Sequence, residues 1–274
     1  MKTFNSGPLG RESEFPAQYD ASVLHAIARA DGRSSLSIKA EQLPFYGEDL
    51  WNAYEVSWLN PKGKPVVALL ELRVPVGSHS IVESKSLKLY LGSFNGTHFE
   101  SSGDVVLRIR EDLSSLLGVS VGVNLLPVDS APRFELASLP GDCLDDLDVA
   151  VEKYEVDSGL LRVKSEQPVQ QCFHSHLLRS CCPVTGQPDW ASVMIRYHGR
   201  ELDASSLLKY LISFRSNQEF HEQCVERIFM DIYNLSQPAS LTVYARYSRR
   251  GGIDINPYRS TEPDLLDNLR LMRQ

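Results

Sequence analysis

The sequence predicts an α+β fold built from two similar modules, each an antiparallel sheet with helices packed on one side. Three observations carry this. Tyr90-Leu91-Gly92-Ser93-Phe94 recurs as Tyr210-Leu211-Ile212-Ser213-Phe214. Upstream, Pro61-Lys62-Gly63-Lys64-Pro65 is echoed by Pro183-Val184-Thr185-Gly186-Gln187-Pro188, in the same order and at nearly the same spacing. The apolar periods around these matches also run in one order in both halves, which is the signature of a duplicated unit.

Each element follows from its own pattern. Val66 to Val74 is a strand-like run after the first Pro/Gly turn. Ala191 to Tyr197 is its counterpart, with Val193, Ile195 and Tyr197 alternating with Met194, Arg196 and His198. A helix follows with Leu87, Tyr90, Leu91 and Phe94 on one face, capped by Ser84 or Ser86, and Leu207, Leu211 and Phe214 repeat that face. A second helix carries Val106, Ile109, Leu113 and Leu116, matched by Val225, Phe229 and Ile232. A closing strand alternates Val119, Val121, Val123 and Leu125, matched by Leu241, Val243, Ala245 and Tyr247. Strands grouped before helices put the helices on one side of an antiparallel sheet. Pro127 to Asp148, rich in proline and acid, reads as the linker, giving modules 1–148 and 149–274.

At 274 residues, with 42% hydrophobic and 23% charged side chains, the chain can bury ample cores without a metal or disulfide. A net charge of −7 argues against a nucleic-acid-coating role, which needs a basic face. No segment approaches ~20 consecutive apolar residues, so no membrane span is expected. Met1 to Asp20 has no apolar run of the secretory kind, and the 5 cysteines include no CxxC pair, so reduced thiols in a cytoplasm are expected.

Chemistry concentrates in the second half. Pro183 keeps Cys182 out of helix, and the turn after it folds the chain back toward Asp189. A thiolate nucleophile with an acid that protonates the attacked group is one reading. A core cysteine beside a turn aspartate is the other. By alternation Cys181 faces the opposite way. His221-Glu222 opens a helix, where Glu222 suits the dipole or could accept two parallel hydrogen bonds from a guanine-like edge. Glu83 to Tyr90 is a charged helix entrance, and Arg249-Arg250-Gly251-Gly252 is either a solvated turn or a phosphate cradle. His174 and His176 share a strand face, but no third ligand stands at a recognisable spacing, so no metal is expected. No P-loop or GxGxxG is present. The positions of the first half aligned with Cys182 and Asp189 hold neither thiol nor acid.

Three stretches resemble one family: Glu83-Ser84-Lys85-Ser86-Leu87-Lys88-Leu89-Tyr90, Cys182 to Trp190, and Glu219 to Ile228. The chain resembles the long, two-module form of NADPH-dependent 7-cyano-7-deazaguanine reductase (QueF), the nitrile reductase of queuosine biosynthesis. The resemblance implies two tandem tunnelling-fold modules in a homodimer, with no metal. It implies that Cys182 attacks the nitrile carbon to form a thioimide, with Asp189 as proton donor, and that two NADPH reduce the nitrile to the primary amine. Val82, Glu83, Ser84, His221 and Glu222 would hold the deazaguanine. Ser84, Lys85, Arg250 and Gly251 would hold NADPH.

Two other classes compete. A cysteine hydrolase would use Cys182, His221 and Asp189 without nicotinamide. A purine-binding module would leave Cys182 inert.

Overall fold

The computed structural model describes residues 15–129 and 135–274, with Pro8 and Gly10. Residues 130–134 of the expected linker lie outside the described residues. The chain forms an α+β fold of β1 (Ala26–Ala28), α1 (Ala30–Arg33), β2 (Tyr46–Leu59), β3 (Pro65–Pro75), β4 (Ser80–Val82), α2 (Ser84–Gly92), α3 (Ser102–Leu117) and β5 (Gly122–Leu126). There follow β6 (Asp142–Cys143), β7 (Val163–Ser175), β8 (Arg179–Cys181), β9 (Pro188–Leu202), α4 (Ala204–Ser213), α5 (His221–Ser236), β10 (Ser240–Tyr247) and β11 (Ile253–Ser260). This is the antiparallel-sheet architecture with few helices that two tandem tunnelling-fold modules require.

Contacts divide the chain into two compact units. The first holds the described parts of Met1–Asp31, Asp49–Glu135 and Arg249–Asp254; the second holds Gly32–Glu48, the described part of Leu136–Ser248, and Ile255–Gln274.

In the first unit the strand order is β5-β3-β2. Alternation sends Ala68, Leu70, Leu72 and Val74 of β3 into the core. Antiparallel β5 pairs Val123 with Leu72 and Leu125 with Leu70. Leu87, Tyr90, Leu91 and Phe94 are buried, as the α2 periodicity predicts. On α3 the buried row is Val105, Ile109, Leu113 and Leu117, not Val106 and Leu116, which sit half-buried at the edge of the stripe. Beside this i, i+4 row, Asp112 accepts two tyrosine hydroxyls, those of Tyr19 and Tyr90. The cap of α2 is Glu83 rather than a serine, its carboxylate accepting from the amides of Lys85 (2.6 Å) and Ser86 (2.8 Å).

In the second unit the order is β11-β10-β9-β7-β6, with β8 paired to the start of β9. Leu207, Leu211, Phe214, Val225, Phe229 and Ile232 are buried beneath α4 and α5. β10 is buried on both faces: Leu241, Val243, Ala245 and Tyr247 on one, Thr242, Tyr244 and Arg246 on the other. The C-terminal segment covers the second face. Arg246 donates to Asn268 Oδ1 (2.8 Å) and Gln274 Oε1 (3.0 Å), and Tyr244 donates to the Asp267 carbonyl (2.9 Å). Helices therefore dress one face only, while an irregular segment dresses the other. The stretch Gly32–Glu48 joins this unit through a buried triad: Glu226 accepts Arg33 Nη2 at 2.8 Å and Arg259 Nη2 at 2.9 Å.

The duplication extends to single hydrogen bonds. Ser86 Oγ donates to the Glu83 carbonyl and Ser206 Oγ to the Asp203 carbonyl, both at 2.7 Å. Ser93 Oγ and Ser213 Oγ cap the carbonyls of Tyr90 and Tyr210, both at 2.6 Å. Tyr90 OH donates to Asp112 and Tyr210 OH to Asp231, again both at 2.6 Å, joining the two helices of each pair. Burial raises the Asp231 carboxyl above its ordinary range, against the lowering effect of that hydroxyl and of Arg227.

Tyr210→Phe removes the donor and leaves a half-satisfied carboxylate between α4 and α5. A loss of about 1–3 kcal/mol is expected in urea unfolding followed by circular dichroism. Tyr90→Phe should behave alike, though more mildly, because Asp112 keeps Tyr19 OH at 2.8 Å.

Candidate active site

The second unit puts Cys182 and Asp189 on one face of a hairpin and Asp189 beside His221. β8 pairs with β9 so that Ser180 lies opposite Asp189 and Cys181 opposite Pro188. One step further, the Cys182 amide donates to the Gln187 carbonyl at 2.9 Å and closes a hairpin over Pro183–Gly186. Directly opposed residues share a face and alternate residues return to it. Cys182, Ser180 and Asp189 therefore lie on one face, and Cys181 on the other. Gly186 makes the reversal with φ +69°, and its amide donates to the Cys182 carbonyl at 2.9 Å. Cys181 is held by its amide on the Asn217 carbonyl at 2.7 Å.

Cys182 is 3% exposed and Asp189 4%. His221, the first residue of α5, places Nε2 3.4 Å from Asp189 Oδ2, and its ring stacks on Tyr247 with centroids 3.7 Å apart and planes 5° from parallel. Phe220 has no acceptor side chain with which to cap α5. The reciprocal half of a capping box is present instead, the Phe220 amide donating to Gln223 Oε1 at 3.2 Å. Glu222 follows in the first turn and is 3% exposed, where the helix dipole favours its charge. Ser180 Oγ, His221 Nδ1 and Tyr247 OH are buried without a hydrogen-bond partner. The Tyr247 hydroxyl lies beside Ser180 and the Cys224 thiol, yet none of these pairs reaches hydrogen-bond geometry. Burial raises both that hydroxyl and the Cys224 thiol far above their usual ranges.

The remaining expected residues belong to the first unit. Val82 and Glu83 are buried, and Ser84 and Lys85 are half-exposed at the start of α2. Desolvation raises the Glu83 carboxyl, against the lowering effect of the two amides it caps. Arg250 and Gly251 form the turn before β11, where the Arg250 amide donates to the Ile253 carbonyl at 2.9 Å. A Cβ on Gly251 (φ +55°) would come within 3.1 Å of Lys88 Nζ, so the backbone here passes close beside an ammonium group.

Two family models match the chain. One, described as "Nitrile reductase, 7-cyano-7-deazaguanine-reductase N-term", covers residues 15–125; the other, "QueF-like protein", covers residues 188–264. Together they span well over half of the sequence, in the order of the two modules. The chain belongs to the QueF family, in its long two-module form. Its family is one of nitrile reductases, which are oxidoreductases. The first match contains Val82 to Lys85, and the second contains Asp189, His221, Glu222, Arg250 and Gly251; Cys182 lies just before the second. Among solved structures, the apo form of an archaeosine synthase QueF-Like aligns with 38% of this chain and 100% of its own, at 18% identity and a TM-score of 0.31.

Sequence reading of this QueF chain missed Ser180 and Tyr247. Tyr247 stood only as the last apolar position of a strand, and Ser180 preceded the cysteine pair without a motif of its own. Their signal is positional: Ser180 shares the parity of Cys182, and Tyr247 ends the strand that runs beside β9.

Two outcomes follow. Among the thiols, exposed Cys143 should react with iodoacetamide well before buried Cys181, Cys182 and Cys224, as read by peptide mass mapping. The raised Glu83 carboxyl contributes stability that is full below the ordinary glutamate range and is lost as pH rises through its folded value. Glu83→Gln should thus gain on the native chain between pH 4 and pH 7 in thermal midpoint. A constant difference across that range would refute the assignment.

Proposed function

We propose that this chain reduces the nitrile of 7-cyano-7-deazaguanine to a primary amine with NADPH, through a thioimide on Cys182. One observation supports the reading above the others. The β8–β9 hairpin sets a thiol and a carboxyl group on one face, Cys182 directly before its turn and Asp189 three residues after it, with an imidazole 3.4 Å beyond the carboxyl.

A nitrile carbon is only modestly electrophilic, so the acid matters as much as the sulfur. In the proposed step the Sγ–C bond forms and one π bond of the triple bond breaks. The nitrogen takes a proton from Asp189, and the thiol proton restores the carboxyl group. Burial of both groups keeps bulk water from the thioimide, which would otherwise hydrolyse. His221 and Glu222 hold the heterocycle, Glu222 by accepting from side-by-side N–H donors; Val82, Glu83 and Ser84 are assigned to the same ligand by the family resemblance alone. The buried, unpartnered atoms of Ser180, His221 and Tyr247 suit a polar ring, since buried polar groups in native proteins are almost always paired.

The first unit offers a donor set that fits NADPH. Backbone at Gly251 (φ +55°) stands beside Lys88, that at Gly252 (φ +73°) stands beside the Glu55 carboxylate, and the Arg249 guanidinium lies 4.5 Å over the Tyr54 ring. Lys85 stands in the first turn of α2, whose amides at 85 and 86 the Glu83 carboxylate already caps, so its contribution is the side-chain ammonium. Ser84, Lys85, Arg250 and Gly251 would hold the cofactor, each NADPH supplying one hydride when bound, so that two molecules are needed per nitrile. We assign the module boundary to 148/149 and the working assembly to a homodimer.

The Asp189–His221 contact also suits a cysteine hydrolase, in which Asp189 would orient the imidazole. Consumption of two NADPH per nitrile separates the readings. A hydrolase would consume none.

Intact mass measured after mixing with 7-cyano-7-deazaguanine should rise by one substrate, with no rise in Cys182→Ala. Asp189→Asn should bind substrate normally but form the adduct roughly 10²–10⁴-fold more slowly, about 3–5 kcal/mol in barrier. Glu222→Ala should instead weaken affinity by about 2–4 kcal/mol, because the ring donors are left unpaired. Native chain without an adduct would overturn the mechanism, and unchanged affinity in Glu222→Ala would overturn that residue's role.

A further inference from the structure

Sequence spacing gave His174 and His176 no third partner, but the fold supplies one. β6 pairs with β7 in parallel, with Cys143 opposite His174, and the Leu144 amide donates to the His174 carbonyl at 2.9 Å. Residues paired in this way share a face, and His176, two positions on, shares it too. The ligand atoms of Cys143, His174 and His176 all lie within 4.8 Å of one another, and the two imidazole centroids are 5.3 Å apart.

The surroundings already orient the rings. His174 Nδ1 stands 3.2 Å from the Pro140 carbonyl, which can only accept. That nitrogen therefore carries the proton, and Nε2 keeps its lone pair. His176 Nδ1 lies 2.8 Å from Ser192 Oγ, a partner that can accept the same proton. Metal-binding histidines are commonly oriented this way, with the second ring nitrogen donating to an oxygen. Nearby charge is balanced. The Asp145 carboxylate accepts the His176 amide (3.0 Å) and Ser175 Oγ (2.6 Å), while the Arg273 guanidinium donates to the His176 carbonyl at 2.7 Å. Cys143 and His176 are exposed and His174 is half-exposed, so an ion can reach them from solvent.

We propose that Cys143, His174 and His176 bind one divalent transition-metal ion of the zinc class, with water in the fourth position. A thiolate and two imidazoles favour zinc, cobalt or copper over magnesium or calcium, which want oxygen. Tetrahedral bonds of about 2.0–2.3 Å hold ligand atoms roughly 3.3–3.7 Å apart, so the widest pair must close by about 1 Å. Exposed side chains can do this by small rotations. Binding would tie the two-residue edge strand β6, and the loop that carries it, to β7. It uses none of the residues assigned to nitrile reduction.

The test is a cobalt(II) titration of the full, chelator-stripped chain. One equivalent should give a thiolate-to-cobalt charge-transfer band with the intense visible bands of a tetrahedral site. Cys143→Ser should abolish the charge-transfer band, His174→Gln or His176→Gln should weaken binding by at least about tenfold, and Cys182→Ala, though unable to form the substrate adduct, should give the same cobalt spectrum as the native chain. In the unmutated chain, stoichiometric zinc should slow alkylation of Cys143. No band at stoichiometric cobalt, a band that survives Cys143→Ser or is lost in Cys182→Ala, or an unchanged alkylation rate would each overturn the site.

Discussion

A half-buried carboxylate that takes a tyrosine hydroxyl between two helices is the constraint on which each module rests. Tyr210 leaves α4 and Asp231 leaves α5, so one 2.6 Å bond fixes the rotation and height of α5 against its neighbour. An unpaired carboxylate at that depth costs more than the bond itself returns, which makes the geometry selective. Because α5 begins at His221, its setting also determines where the imidazole and Glu222 stand. The same pair, Tyr90 with Asp112, sets α3 against α2 in the other half.

The hairpin and the helix then converge by different routes. Strand parity and a four-residue turn bring Cys182 and Asp189 to one face, while the stack on Tyr247 holds His221 beside them. Neither device depends on long flexible side chains. Short, buried groups lose little conformational freedom when a ligand arrives, and preorganisation of this kind is where catalytic sites draw much of their advantage.

Much of this was legible in the sequence, and the misses have physical causes. The duplication was plain because capping serines, tyrosines and helix cores recur together. The face of α3 was misjudged by one position at each end, since Val105-Val106 and Leu116-Leu117 are adjacent apolar pairs between which apolar spacing alone does not choose. Glu83 as the α2 cap went unread because serine is the commoner cap, and nothing local says that a longer carboxylate will turn back on its own helix. The irregular cover over Thr242, Tyr244 and Arg246 has no periodicity to detect. Ser180, Tyr247 and the Cys143–His174 pairing are long-range juxtapositions, visible only once strands are paired.

Arg33 has a consequence for how this molecule is built. It lies far upstream in the chain, yet it shares Glu226 with Arg259 inside the second unit, and Phe45 from the same stretch packs edge-on against Phe229 at 5.3 Å. The internal repeat runs in two continuous halves of the sequence, but the compact unit bearing the thiol takes one of its bolts from residues 32–48, early in the chain. A fragment cut at the seam between those halves would carry an acid and a guanidinium without their third partner, and an open socket where an aromatic ring belongs.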